Sequence, residues 1–310
     1  MSIRRGLAPS LVALAALAAC GSGPAPAASS SASATPAGAA VVASTDVYGA
    51  IAGAVGGSAV QVTSIIHSPG ADPHEYESTP GDVVAVSRAQ LMIYNGAGYD
   101  DFATKILDAS GSKPTTINVA ELSGLQAQQP PGQEFNEHVW YSFPTARRLA
   151  DTLAADLGKA DPGRAGTFTA NAQAFDAKID GLTARLDVIK AKHAGQRVAI
   201  TEPLPQYLVH AAGLVDATPP GFAEAVEAGT EPPAAVLNAS LDTVRGPAKV
   251  AALVVNAQTE GPTTRQVEEA ARAAGVPIVP VTETLPAGIN DYVTWMTQQV
   301  DALAAALDRR

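Results

Sequence analysis

The chain has 310 residues, 46% of them hydrophobic and 16% charged, which is enough apolar material for a real core and enough length for two ordinary domains. Its formal net charge of −10 argues against a nucleic-acid partner, which favours a basic face. The single cysteine, Cys20, excludes an intramolecular disulfide and removes thiolate metal sites from the mature body.

In chain order, Arg4 and Arg5 precede an apolar run, LAPSLVALAALAAC (7–20), of signal-peptide length. It is too short and too rich in small residues for a membrane-spanning helix, which needs about 20 strongly apolar residues. Its end, Leu17-Ala18-Ala19-Cys20 before Gly21, resembles a bacterial lipobox, in which the cysteine becomes the lipidated first residue of the mature protein. Residues 1–20 therefore read as a lipoprotein signal peptide. The following 21–39, built from Gly, Ala, Ser, Pro and Thr, has nothing large to bury and reads as a disordered tether.

From residue 40 onward, β-rich runs alternate with helical patterns. AVVAST (40–45), QVTSII (61–66), LMIYNG (91–96) and TTINVA (115–120) are separated by DVYGAIAGAVGG, PGDVVAVSRA and YDDFATKILDAS. RVAIT (197–201), LVDAT (214–218), AALVVN (251–256) and VPIVPVT (276–282) repeat that layout later. Such alternation predicts an α/β fold of two lobes, each a mainly parallel sheet flanked by helices. Between them Phe168, Ala172, Phe175, Ile179, Leu182, Leu186 and Ile189 mark one face of a long helix, beginning after Asp161-Pro162. That helix is either a stiff spine between two α/β units or a surface helix of one of them. The expected boundaries are an N-terminal lobe at 40–160, a linking helix at 161–193 and a C-terminal lobe at 194–310.

Nucleophilic chemistry finds no support: the chain has no G-x-S-x-G elbow and no free cysteine to pair with a histidine. HEYES (74–78) begins like H-E-x-x-H but carries Ser78 at the second histidine position. GAGYDD (96–101) begins like a dinucleotide loop, but Asp101 stands where the third glycine belongs, and there is no Walker A sequence. Metal binding by imidazole and carboxylate survives. Of the five histidines, His193 lies at a polar helix end, His210 in a helical stretch and His67 at a turn, whereas His74 and His138 each stand in an irregular stretch beside acids. For those two, a turn role and a functional role both remain open on pattern alone.

The loop GADPHEYESTPGDV (70–83) resembles the D-P-H-x-Y-E-P-x-P loop of the metal-specific solute-binding lipoproteins of ABC importers, the zinc and manganese uptake family. YNGAGYDDF (94–102) resembles that family's N-G-x-G-x-[DE] turn, and NEHVWYS (136–142) its D-P-H-x-W segment. Looser likenesses follow in order: VAITEPLPQYLVHAAGL (198–214), TEPPAAVLNASL (230–241) and VPVTETL (279–285). The resemblance implies two α/β lobes joined by one long rigid helix, and four metal ligands: His74 and His138 from the first lobe, Glu202 and Glu283 from the second. It implies a divalent metal ion as transported ligand. Glu202 stands where many zinc members have histidine, Glu283 where aspartate is usual, and no histidine-rich loop lies between Leu122 and His138. A set of two imidazoles and two carboxylates favours Mn²⁺ or Fe²⁺, with Zn²⁺ next.

Asp72, Glu75, Glu77 and Glu137 are candidates to support the ligands, with plain solvation as their alternative. Trp140, Tyr76 and Tyr207 either shield the site or pack the core. The resulting expectation is a monomeric, non-enzymatic binding protein, exported and anchored to the membrane through lipidated Cys20. It captures a divalent transition-metal ion between two lobes and delivers it to an ABC permease. The competing expectations are a metal-dependent hydrolase using the same ligands, a surface adhesin, and a binder of chelated metal or siderophore.

Overall fold

The computed structural model describes residues 38–129 and 134–309. The expected signal peptide, and the expected tether apart from its last two residues, lie outside that range. Eight short strands form two four-stranded, wholly parallel sheets. The first contains β1 (Ala39–Thr45), β2 (Val60–Ile66), β3 (Leu91–Tyr94) and β4 (Thr115–Asn118), in the order β2-β1-β3-β4. The second contains β5 (Arg197–Ile200), β6 (Val215–Asp216), β7 (Leu253–Asn256) and β8 (Ile278–Val281), in the order β6-β5-β7-β8. Strand β1 starts at Ala39, one residue inside the expected tether, and pairs there with Val60.

The helices of the first half are α1 (Asp46–Gly56), α2 (Pro80–Ser87), α3 (Asp101–Ser110), α4 (Val119–Ser123) and α5 (Phe143–Ala160). After α6 (Ala165–His193) come α7 (Gln206–Ala211), α8 (Phe222–Glu227), α9 (Ala234–Arg245), α10 (Pro262–Ala273) and α11 (Tyr292–Leu307). Their starts carry local chemistry. Thr79 and Asp82 form a capping box over Pro80 at the head of α2, and the Asp291 carboxylate accepts from Thr294 N at 2.7 Å to open α11.

Helix α6 is the spine. At 29 residues and about 1.5 Å per residue it runs roughly 43 Å, and all seven residues of its predicted face are buried. The helix starts later than expected, because Pro162–Arg164 tightens into a 3₁₀ turn before it. Its apolar stripe touches α1 and α5 on one side and α11 on the other. One continuous core therefore runs from Val41 in β1, through Phe168 to Ile189, to Leu307. A surface helix belonging to one lobe alone would not do this. Phe175 packs its ring 5.9 Å from that of Tyr292 in α11.

The parallel sheets also decide where a site can form. In each sheet, all strands run the same way, so the loops after their carboxyl ends collect on one side. Those loops carry His74 after β2, Asn95 after β3, Glu202 after β5, Asn256 at the end of β7 and Glu283 after β8.

Phe175→Ala is expected to destabilise the protein by about 3–5 kcal/mol, the usual cost of emptying a buried Phe site. Because one core is shared, chemical denaturation followed by tryptophan fluorescence and by circular dichroism should shift as a single coincident transition. Separate transitions would show two independently folding lobes.

Candidate metal centre

His138 lies at the entrance to a 3₁₀ turn (Val139–Tyr141) and is fully buried. Asn136 holds it. The Asn136 Oδ1 accepts from the His138 backbone N–H at 3.0 Å and lies 2.9 Å from Nδ1. That oxygen's identity follows from its partner atom, since Asn136 Nδ2 donates to Pro203 O at 2.9 Å and Gln206 Oε1 at 3.2 Å. An amide oxygen can only accept, so Nδ1 carries the proton and Nε2 presents a lone pair. That is the tautomer a metal-ligating imidazole adopts when a neighbour takes its other N–H. Nε2 is buried with no hydrogen-bond partner. Burial, followed by the proximity of His74, pushes the His138 pKa down to about 3, so the ring is neutral near pH 7. Behind it the rings of Trp140 and Tyr99 lie 5.0 and 5.9 Å away and exclude water.

His74 stands in the Pro-flanked loop after β2, partly exposed, with its ring edge-on to Tyr99 at 5.1 Å. Its backbone N–H donates to Asp72 Oδ1 at 2.9 Å, so Asp72 shapes the turn. Tyr76 packs on Phe102 and donates to Asp82, which places it in the core and cap rather than over the site. The NGAGYDD turn is likewise structural. Asp100 accepts from the N–H groups of Asn95 and Gly96, and Asn95 Nδ2 donates to the Glu137 carbonyl at 3.0 Å, which fixes the residue before His138. Gly96 has φ +77°, and a Cβ there would meet Asn118 at 2.5 Å, so glycine is required.

From the second half, Glu202 and Glu283 are buried and bridged by one amide: Asn256 Nδ2 donates to Glu202 Oε2 at 2.5 Å and Glu283 Oε1 at 2.7 Å. Thr259 Oγ1 also donates to Glu202. Burial, then the charge of Glu202, pushes the Glu283 pKa up to about 8 against the opposing bond from Asn256, and Glu202 is raised by burial too. Asn256 was not singled out in the sequence; at the end of an apolar strand it reads as a turn residue.

The structure thus gathers the predicted ligands in two pairs, His74 with His138 around Tyr99, and Glu202 with Glu283 around Asn256. Between the histidines it adds two acids. Glu137 Oε1 lies 3.8 Å from His74 Nε2, and Glu227 Oε1 lies 3.2 Å from His138 Nε2. Among the described residues, His74, Glu137 and Glu227 form one cluster whose ligand atoms all lie within 4.8 Å of each other. Glu137 had been considered as a supporting acid; Glu227 carried no signal, because α8 is a six-residue helix too short to show a period. Burial, then the charges of Glu137 and Glu202, pushes Glu227 up to about 9. Near pH 7 the His138–Glu227 contact is therefore a neutral acid facing a neutral imidazole, not an ion pair. These residues adjoin a cavity of about 700 Å³ lined by Asp72, His74, Glu137 and Glu227, with no lysine or arginine among its described lining residues.

Of the other histidines, His67 Nδ1 lies 3.1 Å from the carbonyls of Ser64 and Ile65, and His193 Nε2 lies 3.0 Å from Asp308. His210 is exposed near the end of α7. None of the three joins the cluster.

The model of the zinc-uptake complex component A periplasmic family matches residues 41–306. The chain belongs to that family. Among curated relatives it is 31% identical over 128 residues to the iron-binding protein YfeA of Yersinia pestis, which is 41% of either chain. It is 31% identical over 137 residues, 44% of either chain, to the manganese-binding lipoprotein MntA of Bacillus subtilis. Each match spans less than half the length of these curated relatives. Among solved structures, the periplasmic zinc-binding protein TroA of Treponema pallidum superposes with a TM-score of 0.71 at 22% identity, covering 86% of this chain and 98% of that one. The laminin-binding adhesin of Streptococcus agalactiae gives 0.74 at 22%, covering 87% and 100%. These likenesses establish the two-lobed fold.

The charge states carry a pH signature. Glu227 and Glu283 have folded pKa values of about 9 and 8 above an ordinary 4.5, so the acids' protonated forms stabilise the fold, fully below about 4.5 and progressively less as pH rises through 8 and 9. His138, shifted down from 6.5, acts oppositely: its contribution is complete above 6.5 and is lost as pH falls towards about 3. Above pH 6.5 only the acids still change. Metal-free protein is therefore expected to lose thermal stability from pH 6.5 to 9, with the loss reduced in Glu227→Gln. A flat or rising midpoint over that window would contradict the assignment.

Proposed function

We propose that the chain is the extracytoplasmic solute-binding component of an ABC importer, capturing a divalent transition-metal ion with His74, His138, Glu202 and Glu283. The observation that carries this reading is His138: a buried imidazole, locked by Asn136, with its Nε2 lone pair free of a hydrogen-bond partner and facing the Glu227 carboxyl at 3.2 Å. Buried carboxylates repel one another, and a bound dication removes that repulsion. Two imidazoles with two or more carboxylates suit Mn²⁺ and Fe²⁺, with Zn²⁺ next. Among the relatives, MntA is a manganese-binding lipoprotein and YfeA an iron-binding protein.

Delivery to a membrane permease follows from the family, and the chain acts as a monomer held at the membrane by lipidated Cys20, outside the cytoplasm. Residues 40–160 and 194–310 then serve as the two jaws, with 161–193 between them. No bond is made or broken in the cargo. The metal-dependent hydrolase reading needs a water on the ion and a base beside it. Glu202 is held by Asn256 and Thr259 rather than set free as a base.

Metal-free protein titrated with Mn²⁺, Fe²⁺ kept reduced, and Zn²⁺ should show saturable thermal stabilisation with one ion per chain. The expected size is about 2.7 kcal/mol at a hundred times the dissociation constant. His74→Ala and His138→Ala should each weaken binding at least tenfold. Binding should release protons, because the raised acids must ionise, and calorimetry in buffers of different ionisation enthalpy reads that release. Stability unmoved by all three ions would end the metal-capture reading.

A further inference from the structure

The four expected ligands leave two acids of the cluster over, Glu137 and Glu227, and the second faces His138. Glu227 ends α8, after β6, and no sequence motif includes it. Its Oε1 is buried and without a hydrogen-bond partner, and so is the His138 Nε2 that faces it from 3.2 Å. The imidazole tautomer makes this pairing informative. Asn136 keeps the proton on Nδ1, so Nε2 is a lone pair directed at an oxygen that also carries lone pairs. In the metal-free protein the carboxyl proton of Glu227 can lie between them, and a dication bound by both atoms would take that proton's place.

The spacing fits shared coordination. Donors each about 2.1 Å from one ion, at roughly 90–110° to each other, lie about 3.0–3.4 Å apart. A ring nitrogen of His74 falls in the same cluster as a Glu227 carboxylate oxygen, within 4.8 Å. Glu202 and Glu283 lie outside that cluster, as His138 does, and are joined to each other through Asn256. The oxygen already at coordination distance from His138 is Glu227's.

We infer that Glu227 is a further ligand to the captured ion, a third carboxylate that raises the coordination number above four and turns the site towards Mn²⁺ and Fe²⁺. This rests on the metal-capture reading above. Three carboxylates with two imidazoles make a set that is harder and more crowded than the closed tetrahedron zinc prefers. The loss of one carboxylate should therefore cost Mn²⁺ more than Zn²⁺.

The test compares wild type and Glu227→Gln, using Co²⁺ as a spectroscopic probe and calorimetry with Mn²⁺ and Zn²⁺. Wild type should bind one Co²⁺ with the weak visible absorption of a five- or six-coordinate ion. Glu227→Gln should bind Mn²⁺ at least tenfold more weakly, lose less for Zn²⁺, and show the stronger absorption of four-coordinate Co²⁺. If wild type binds none of these ions, the capture reading itself falls. If wild type binds them and the variant keeps its affinity and Co²⁺ spectrum, or binds more tightly because an internal competitor has been removed, the Glu227 assignment alone is overturned. Should the variant fold poorly, the wild-type spectrum decides: intense tetrahedral bands rule the fifth ligand out.

Discussion

Placing several carboxylates in one cleft beside a buried imidazole is the constraint around which this protein is arranged. Glu202, Glu283, Glu227 and Glu137 all have pKa values pushed up by burial, and the charge of another of these glutamates adds to the rise at Glu283 and Glu227. An apolar ligand would leave that repulsion in place, and an anion would worsen it. A divalent cation resolves it. Neutral amides are set among these groups: Asn256 between Glu202 and Glu283, and Asn136 beneath His138.

Asn136 also links site to architecture. Its side chain orients His138 and donates to Pro203 O and Gln206 Oε1, next to Glu202 in sequence, while Tyr207 donates to its carbonyl at 2.7 Å. His138 and the loop after Glu202 are thus held by one residue. Further ties cross nearby, as Tyr141 donates to Thr282 O and Tyr292 to Trp140 O. With α6 and its continuous core, these bonds tie the two halves together. The proposed metal site would depend on those ties, because donor positions must hold to a few tenths of an ångström.

The departures from the family pattern acquire physical meaning in this frame. Asn136-Glu137 stands where the family pattern has Asp-Pro. The asparagine accepts from the His138 ring as an aspartate could, but its amide also donates across to Pro203, which a carboxylate cannot do. Glu137, free of proline's constraint, turns a carboxylate towards His74. The expectation that Tyr76 and Trp140 either shield the site or pack the core divides: Trp140 backs His138 directly, whereas Tyr76 belongs to the α2–α3 packing.

The sequence alone settled the α/β alternation, all eight strands to within a few residues, and the seven-residue stripe of α6. Those features follow from local periodicity and from the need to bury apolar faces. Ordered motifs pointed to His74, His138, Glu202 and Glu283, yet spacings of 64, 64 and 81 residues say nothing about which atoms converge. Convergence came from parallel sheets, which bring loops distant in sequence to one side. Tertiary structure alone decided the roles of Asn136, Asn256 and Glu227. Each is an ordinary polar residue in a loop, at a strand end or in a short helix, and its meaning lies in a partner 2, 27 or 89 residues away in the chain.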